Sequence, residues 1–162
     1  GEGVLVSTLD TGVDGNHPSL QGRWAGSQPA YAGHPEWAFF DPVTNWQFPQ
    51  DSGTHGTHTM GSVCGGPPGD EIGVAPGAEW IASNAINSSL ENLDNQVIAA
   101  FEWLADPDGN PNTTADVPAV VQNSWAVNEN FSGYFDCDSR WWDAIVACEA
   151  SGVLQSLSTS LA

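Results

Sequence analysis

The chain has 162 residues, enough for one domain with a real core, since 40% of them are hydrophobic. Its charge is lopsided: Arg23 and Arg140 are the only basic side chains apart from four histidines, set against 20 acidic ones, for a formal net charge of −18. Such a chain repels nucleic acid and anionic membranes, which are bound through Lys and Arg, and no run approaches the ~20 apolar residues of a membrane span.

Residues 3–9 are a compact run rich in Val, Leu and Thr, which reads as a buried parallel strand. Asp10-Thr11-Gly12 closes it with a turn, and Asn16-His17-Pro18 marks a second. Residues 19–50 are rich in Gly, Pro and aromatics and read as irregular loop with one short strand. Small residues over 54–64 suit a tightly packed helix, broken by Gly65-Gly66-Pro67-Pro68-Gly69. A turn at 72–78 leads to a second strand over 79–86. Leu93, Val97, Ala100, Phe101 and Leu104 recur at helical spacing. After a Pro-, Gly- and Asn-rich loop comes a third strand, 117–124, then a helix over 141–150 with Ala144, Ile145, Ala147 and Cys148 inward and Gly152 as its stop. Strands alternating with helices imply an α/β domain with a mainly parallel sheet, whose sites form at the C-terminal ends of the strands. Asp10 stands at such an end, and His55 at a helix start.

Two stretches carry chemistry: Asp10-Thr11-Gly12-Val13 with His17-Pro18, and His55-Gly56-Thr57-His58 with Gly61. With Gly73-Val74-Ala75-Pro76-Gly77 they resemble the motifs of the subtilisin-like serine peptidases (subtilases, peptidase S8), in that family's order of Asp, then His, with Ser last. Gln122-Asn123-Ser124-Trp125, Trp141-Trp142-Asp143-Ala144 and Ala150-Ser151-Gly152-Val153 resemble its bacillopeptidase F-like branch. The resemblance covers residues 3–153 and implies a three-layer α/β/α subtilisin-like fold, here truncated, a secreted endopeptidase, and a protein or peptide substrate. It implies that Asp10 orients His55 and that His55 is the general base toward a serine hydroxyl. Gly56 is expected to let the helix start approach the substrate side, and His58 to be a packed neighbour rather than a catalyst. Ser124, Trp125 and Ala126 fall where the family's third strand lines the specificity pocket, with Ala126 in place of the usual Gly. Ser88, Ser89 and Leu90 fall where another extended segment pairs with substrate. The family needs no cofactor for catalysis and often binds structural calcium; the loop 106–112 offers oxygen ligands but no strong pattern.

The family pattern then continues through an apolar strand ending in the oxyanion Asn, and a Gly-Thr-Ser-Met-Ala helix. Residues 154–162 read Leu-Gln-Ser-Leu-Ser-Thr-Ser-Leu-Ala instead, an aberrant tail of the kind a shifted reading frame produces. Ser160 sits in a faint echo of the nucleophile motif, but Ser158 replaces the leading Gly and no helix follows. The expectation is one unit over 1–153 that lacks nucleophile and oxyanion Asn and is inactive alone. The truncated sheet is also expected to leave an aggregation-prone edge. Two other readings stay open: a metal site from Asp10, His55 and His58, and a non-catalytic binding module with a platform of Trp24, Trp37 and Trp46. Cys64, Cys137 and Cys148 allow a Cys137–Cys148 bridge or three free thiols; spacing does not choose.

Overall fold

The computed structural model describes residues 1–66, 69, 72–87, 92–127, 135 and 138–157. Among these, five strands form one parallel sheet: β1 (Leu5–Asp10), β2 (Phe39–Phe40), β3 (Glu79–Asn84), β4 (Val120–Asn123) and β5 (Leu154–Leu157). They lie in the order β2-β3-β1-β4-β5. β1 is central, with Val6 beside both Trp80 and Val120 in register. The chain builds outward from β1 first to one side and then to the other, so Asp10 ends the strand at which the order reverses.

Alternation along the strands assigns side chains to two faces. Val6, Thr8 and Asp10 share one face with helix α1 (His55–Cys64), as the contact of Asp10 with His55 requires. Ser7 and Leu9 point to the other, which is covered by α2 (Leu93–Ala105) and α3 (Trp142–Ala150). There Phe40 of β2 stacks on Trp103 of α2 at 5.6 Å, and Gln155 of β5 donates to the Cys148 Sγ of α3 at 3.3 Å. Helices on both sides of the sheet make three layers, as the family resemblance implies.

The helices follow their patterns. Leu93, Val97, Ala100, Phe101 and Leu104 form the buried stripe of α2, which stops where Asp106 precedes Pro107. In α3 only Ile145 and Cys148 are buried; Ala144 is half-buried and Ala147, expected inward, faces solvent. That helix is short and meets the sheet along a narrow strip. Gly152, at φ 103°, terminates it in the left-handed region that glycine tolerates. The aromatic-rich stretch after β1 runs through short 3-10 turns into the two-residue β2. Its Trp24 is buried, 5.2 Å edge-on from Phe48, with its indole N–H donating to the Ala38 carbonyl at 3.3 Å. Trp37 stacks on His34 at 3.9 Å, and Trp46 is half-buried. These rings plug a loop-rich core and make no shared exposed platform, which removes the basis of the binding-module reading.

Leu154–Leu157, inside the stretch read as an aberrant tail, is β5 and pairs in register with β4. Cys64 and Cys148 are free, buried thiols whose pKa values burial pushes up to about 11 and about 12. The Cys137–Cys148 bridge is therefore not made, and Cys137 itself lies outside the described residues.

Candidate active site

The structure brings Asp10 and His55 together. Asp10 is fully buried at the end of β1, and its Oδ1 accepts the Thr11 N–H at 2.7 Å. The Nδ1 of His55, the first residue of α1, lies 2.8 Å from Oδ1 and 3.0 Å from Oδ2. An ionised carboxylate only accepts, so this contact favours the tautomer with the proton on Nδ1, in which Nε2 of the neutral ring keeps a lone pair. Thr59, one turn along α1, donates its hydroxyl to the His55 carbonyl at 2.9 Å and holds the first turn from within.

Two glycines make this approach sterically feasible. Gly12 has φ 90°, and a Cβ there would sit 2.1 Å from the Gln50 carbonyl oxygen. A Cβ on Gly56 would sit 2.0 Å from the Gly12 carbonyl oxygen and 3.2 Å from the Asp10 Cβ. Gly56 therefore serves close packing of α1 on the turn after β1, rather than approach to the substrate side as expected from the motif.

Asp51 and Thr11 complete the brace, and Asp51 was not legible as a site residue. Asp51 Oδ1 accepts the Thr11 hydroxyl at 2.7 Å and the Gly53 N–H at 2.9 Å; its Oδ2 accepts the Thr57 N–H at 2.8 Å and the Thr57 hydroxyl at 2.5 Å. Thr11 Oγ1 in turn accepts the Gly56 N–H at 2.9 Å. The Gly56 and Thr57 N–H groups in the first turn of α1 are thus met by side chains from the turn after β1 and from before the helix. A negative charge near a helix N-terminus is favourable in addition. The available signal was an Asp just upstream of a helix start, with Ser and Thr between.

The acid is sealed and the base is open: the side chain of Asp10 is 1% exposed, that of His55 52%. Beside His55 runs a groove of about 610 Å³ between α1 and the sheet, lined by Val6, Thr59, Val63, Val120 and Ser124 among others. A second hollow of about 870 Å³ lies across α1, bordered by Asp14, His17, Phe48 and Asp51. His58 borders both and is exposed, so it is not the packed neighbour expected: three residues along the helix from His55, its ring turns outward to solvent. Asp10, His55 and His58 do not converge as metal ligands. Among the described residues, the group with ligand atoms within 4.8 Å of one another is Asp106, Asp108 and Asp116.

β4 stops at Asn123, so Ser124, Trp125 and Ala126 follow the strand rather than extend it. Ser124 accepts from the Gln122 amide at 2.8 Å and faces the groove, and Ala126 is exposed. Trp125 is buried edge-on against Trp141 at 5.3 Å, which makes it a packing residue under the segment. Ser88, Ser89, Leu90 and Ser160 lie outside the described residues.

A buried carboxylate holding a half-exposed imidazole at the end of a central parallel strand is an arrangement able to exchange a proton with a group outside it. The Subtilase family, peptidase S8, matches residues 1–158, and the chain belongs to that family. It is 35% identical over 159 residues to bacillopeptidase F of Bacillus subtilis, covering 93% of this chain and 11% of that protein. It is 30% identical over 105 residues to subtilisin-like protease 1 of Trichophyton verrucosum, covering 64% of this chain and 22% of that one. The chain thus spans less than a quarter of the length of these relatives. Among solved structures it is similar in fold to a cold-adapted subtilisin-like serine proteinase (TM-score 0.62, 21% identity, 96% of this chain and 46% of that one). Fervidolysin from Fervidobacterium pennivorans matches as well, with TM-score 0.62, 21% identity, 95% of this chain and 21% of that one.

Proposed function

We propose that residues 1–153 are the N-terminal portion of a secreted serine endopeptidase domain. Asp10 orients His55, and His55 takes the proton of a serine hydroxyl and returns it to the leaving amine, so that the complete enzyme cleaves peptide bonds through an acyl-enzyme. The observation that carries this reading is the two-oxygen contact of buried Asp10 with Nδ1 of His55 at 2.8 and 3.0 Å, with the rest of the ring open. That leaves Nε2 able to receive a proton from a group presented over the groove. Ser124 and Ala126, with Ser88 to Leu90, are proposed to meet the substrate main chain. The lopsided acidity disfavours nucleic acid and anionic membranes as partners, and no helix among the described residues is long and apolar enough to cross a membrane.

The 162 residues alone are proposed to be inactive, since neither the family's Gly-Thr-Ser-Met-Ala motif nor its oxyanion Asn strand occurs in them. Loss of one oxyanion donor typically costs ~10²–10³ in rate, and loss of the nucleophile removes the acyl route. A fluorophosphonate probe is expected to leave the purified chain unlabelled; stoichiometric labelling at Ser160 would overturn inactivity. The Asp–His pair is tested separately in the same chain, through a low-field imidazole N–H resonance in the proton NMR spectrum that disappears in Asp10→Asn. If that resonance is absent from the unmodified folded chain, the assignment of roles fails.

A further inference from the structure

The loop between α2 and β4 holds a cluster that the acid–base pair does not use. Asp106 follows the last turn of α2, Asp108 lies two residues on, and Asp116 comes back to meet them before β4. One carboxylate oxygen from each lies within 4.8 Å of the others. Hydrogen bonds fold the loop around them: the Asp108 N–H donates to Asp116 Oδ2 at 2.9 Å, and the Thr113 hydroxyl donates to Asp108 Oδ2 at 2.8 Å. Asp116 is 7% exposed. Its Oδ1, and the Oδ1 of Asp106, are sealed from solvent and accept no hydrogen bond.

Three converging carboxylates with two unpartnered buried oxygens require a counter-charge. The chain has no lysine and two arginines, whose printed side-chain contacts lie elsewhere. Arg23 donates to the Ser19 carbonyl at 2.6 Å, and Arg140 pairs with Asp138 and with Asp94. The buried Tyr31 feels the same field: burial, then Asp116, Glu79 and Asp108, push its pKa up to about 12. A hard cation fits the donors, which are all oxygen. Calcium suits such donors best, because it takes roughly six to eight oxygen ligands in flexible geometry, whereas magnesium demands a near-ideal octahedron and keeps several of its waters.

We infer that Asp106, Asp108 and Asp116 form a calcium site that ties the end of α2 to the start of β4, and hence holds the segment running on to Ser124. The site needs no nucleophile and stands whether or not the chain is a peptidase fragment. Backbone carbonyls and water complete the coordination.

The test is isothermal titration of the metal-stripped 162-residue chain with calcium chloride, then with magnesium chloride, at 0.15 M salt to suppress diffuse binding to the acidic surface. One calcium per chain is expected, with magnesium at least about tenfold weaker. At a hundredfold excess over Kd, calcium is expected to raise the thermal midpoint by roughly 5–10 °C. Asp106→Asn with Asp116→Asn should abolish the tight phase, and Asp108→Asn should weaken it. Glu102→Gln, a single charge removed from the exposed face of α2, should leave it unchanged. Terbium luminescence sensitised by the aromatic side chains gives a readout independent of stability, and should be lost in the Asp106→Asn, Asp116→Asn double variant. Equal binding of calcium and magnesium, or calcium binding in Asp108→Asn as tight as in the unmodified chain, overturns the inference. Asp108→Asn decides the matter if the double variant does not fold.

Discussion

The two faces of the central sheet are finished to different degrees. On the face covered by α2 and α3, Ser7, Leu9, Ile81, Ser83, Val121 and Asn123 are all shut off from solvent. On the face covered by α1 the burial holds over β1 and β3, where Trp80 and Ala82 are buried, but fails over β4 and β5. There Val120 and Gln122 are half-buried and Leu154 is 69% exposed. His55 stands at the boundary between these halves. The tight core packing therefore lies on one side of that line, and an apolar groove on the other. The base proposed here would have to meet a hydroxyl and a substrate, and the half-open ring of His55 leaves room for both.

This contrast can be broken or sharpened by substitution. The largest effect is expected on the closed face: Phe101→Ala removes a ring that is 1% exposed and should cost about 3–5 kcal/mol in denaturant unfolding. A loss under about 1 kcal/mol would mean that this face is not the main core. Gly56→Ala should follow, at about 1–3 kcal/mol, because its new methyl meets the Gly12 carbonyl and α1 must shift. The same variant should lose the low-field imidazole signal, and an unperturbed signal would refute the packing role given to Gly56. Asp51→Ala takes away acceptors for the Thr57 and Gly53 N–H groups and should cost about 1–2 kcal/mol, with Asp51→Asn recovering part of it. Equal losses for Ala and Asn would argue for charge at the helix terminus over the hydrogen bonds. The smallest effect belongs to the open face: Leu154→Ala should stay within about 0.5 kcal/mol while lowering aggregation in light scattering. A large destabilisation there would show that the groove side is already packed in solution.

Much of the layout was legible from the residues. Helix α2 declared itself because five apolar positions repeat at its period, and every one of them is buried. Strand β1 did so because an uninterrupted apolar run signals burial on both faces. The contact of Asp10 with His55 was expected because both sit in motifs that resemble the subtilase Asp and His motifs, and the structure brings the two side chains together. What stayed hidden depends on contacts between distant segments. Asp51 looks like any loop acid until Thr11, forty residues earlier in the chain, turns its hydroxyl toward it. His58 shares a motif and, three positions on, one side of α1 with His55, yet its ring lies in solvent and does not meet Asp10, which spacing along the helix does not reveal. Ala147 was misjudged because amphipathic spacing fixes only that some strip of α3 is inward, and the strip turned out narrower than the apolar positions available. The convergence of Asp116 with Asp106 required the loop to fold back on itself, which no local pattern announces.

The contact of Gly56 with the Gly12 carbonyl has one more consequence. The distance between acid and base is set by main chain resting on main chain, with Thr11 and Asp51 as struts, all within residues 10–57. The pair is consequently preorganised: its entropy of alignment is lost once, when the domain folds, and no part of that loss recurs when a reactant arrives. A half-site so built behaves as an interchangeable cassette. Residues outside 10–57 can then change without altering the distance between Asp10 and His55.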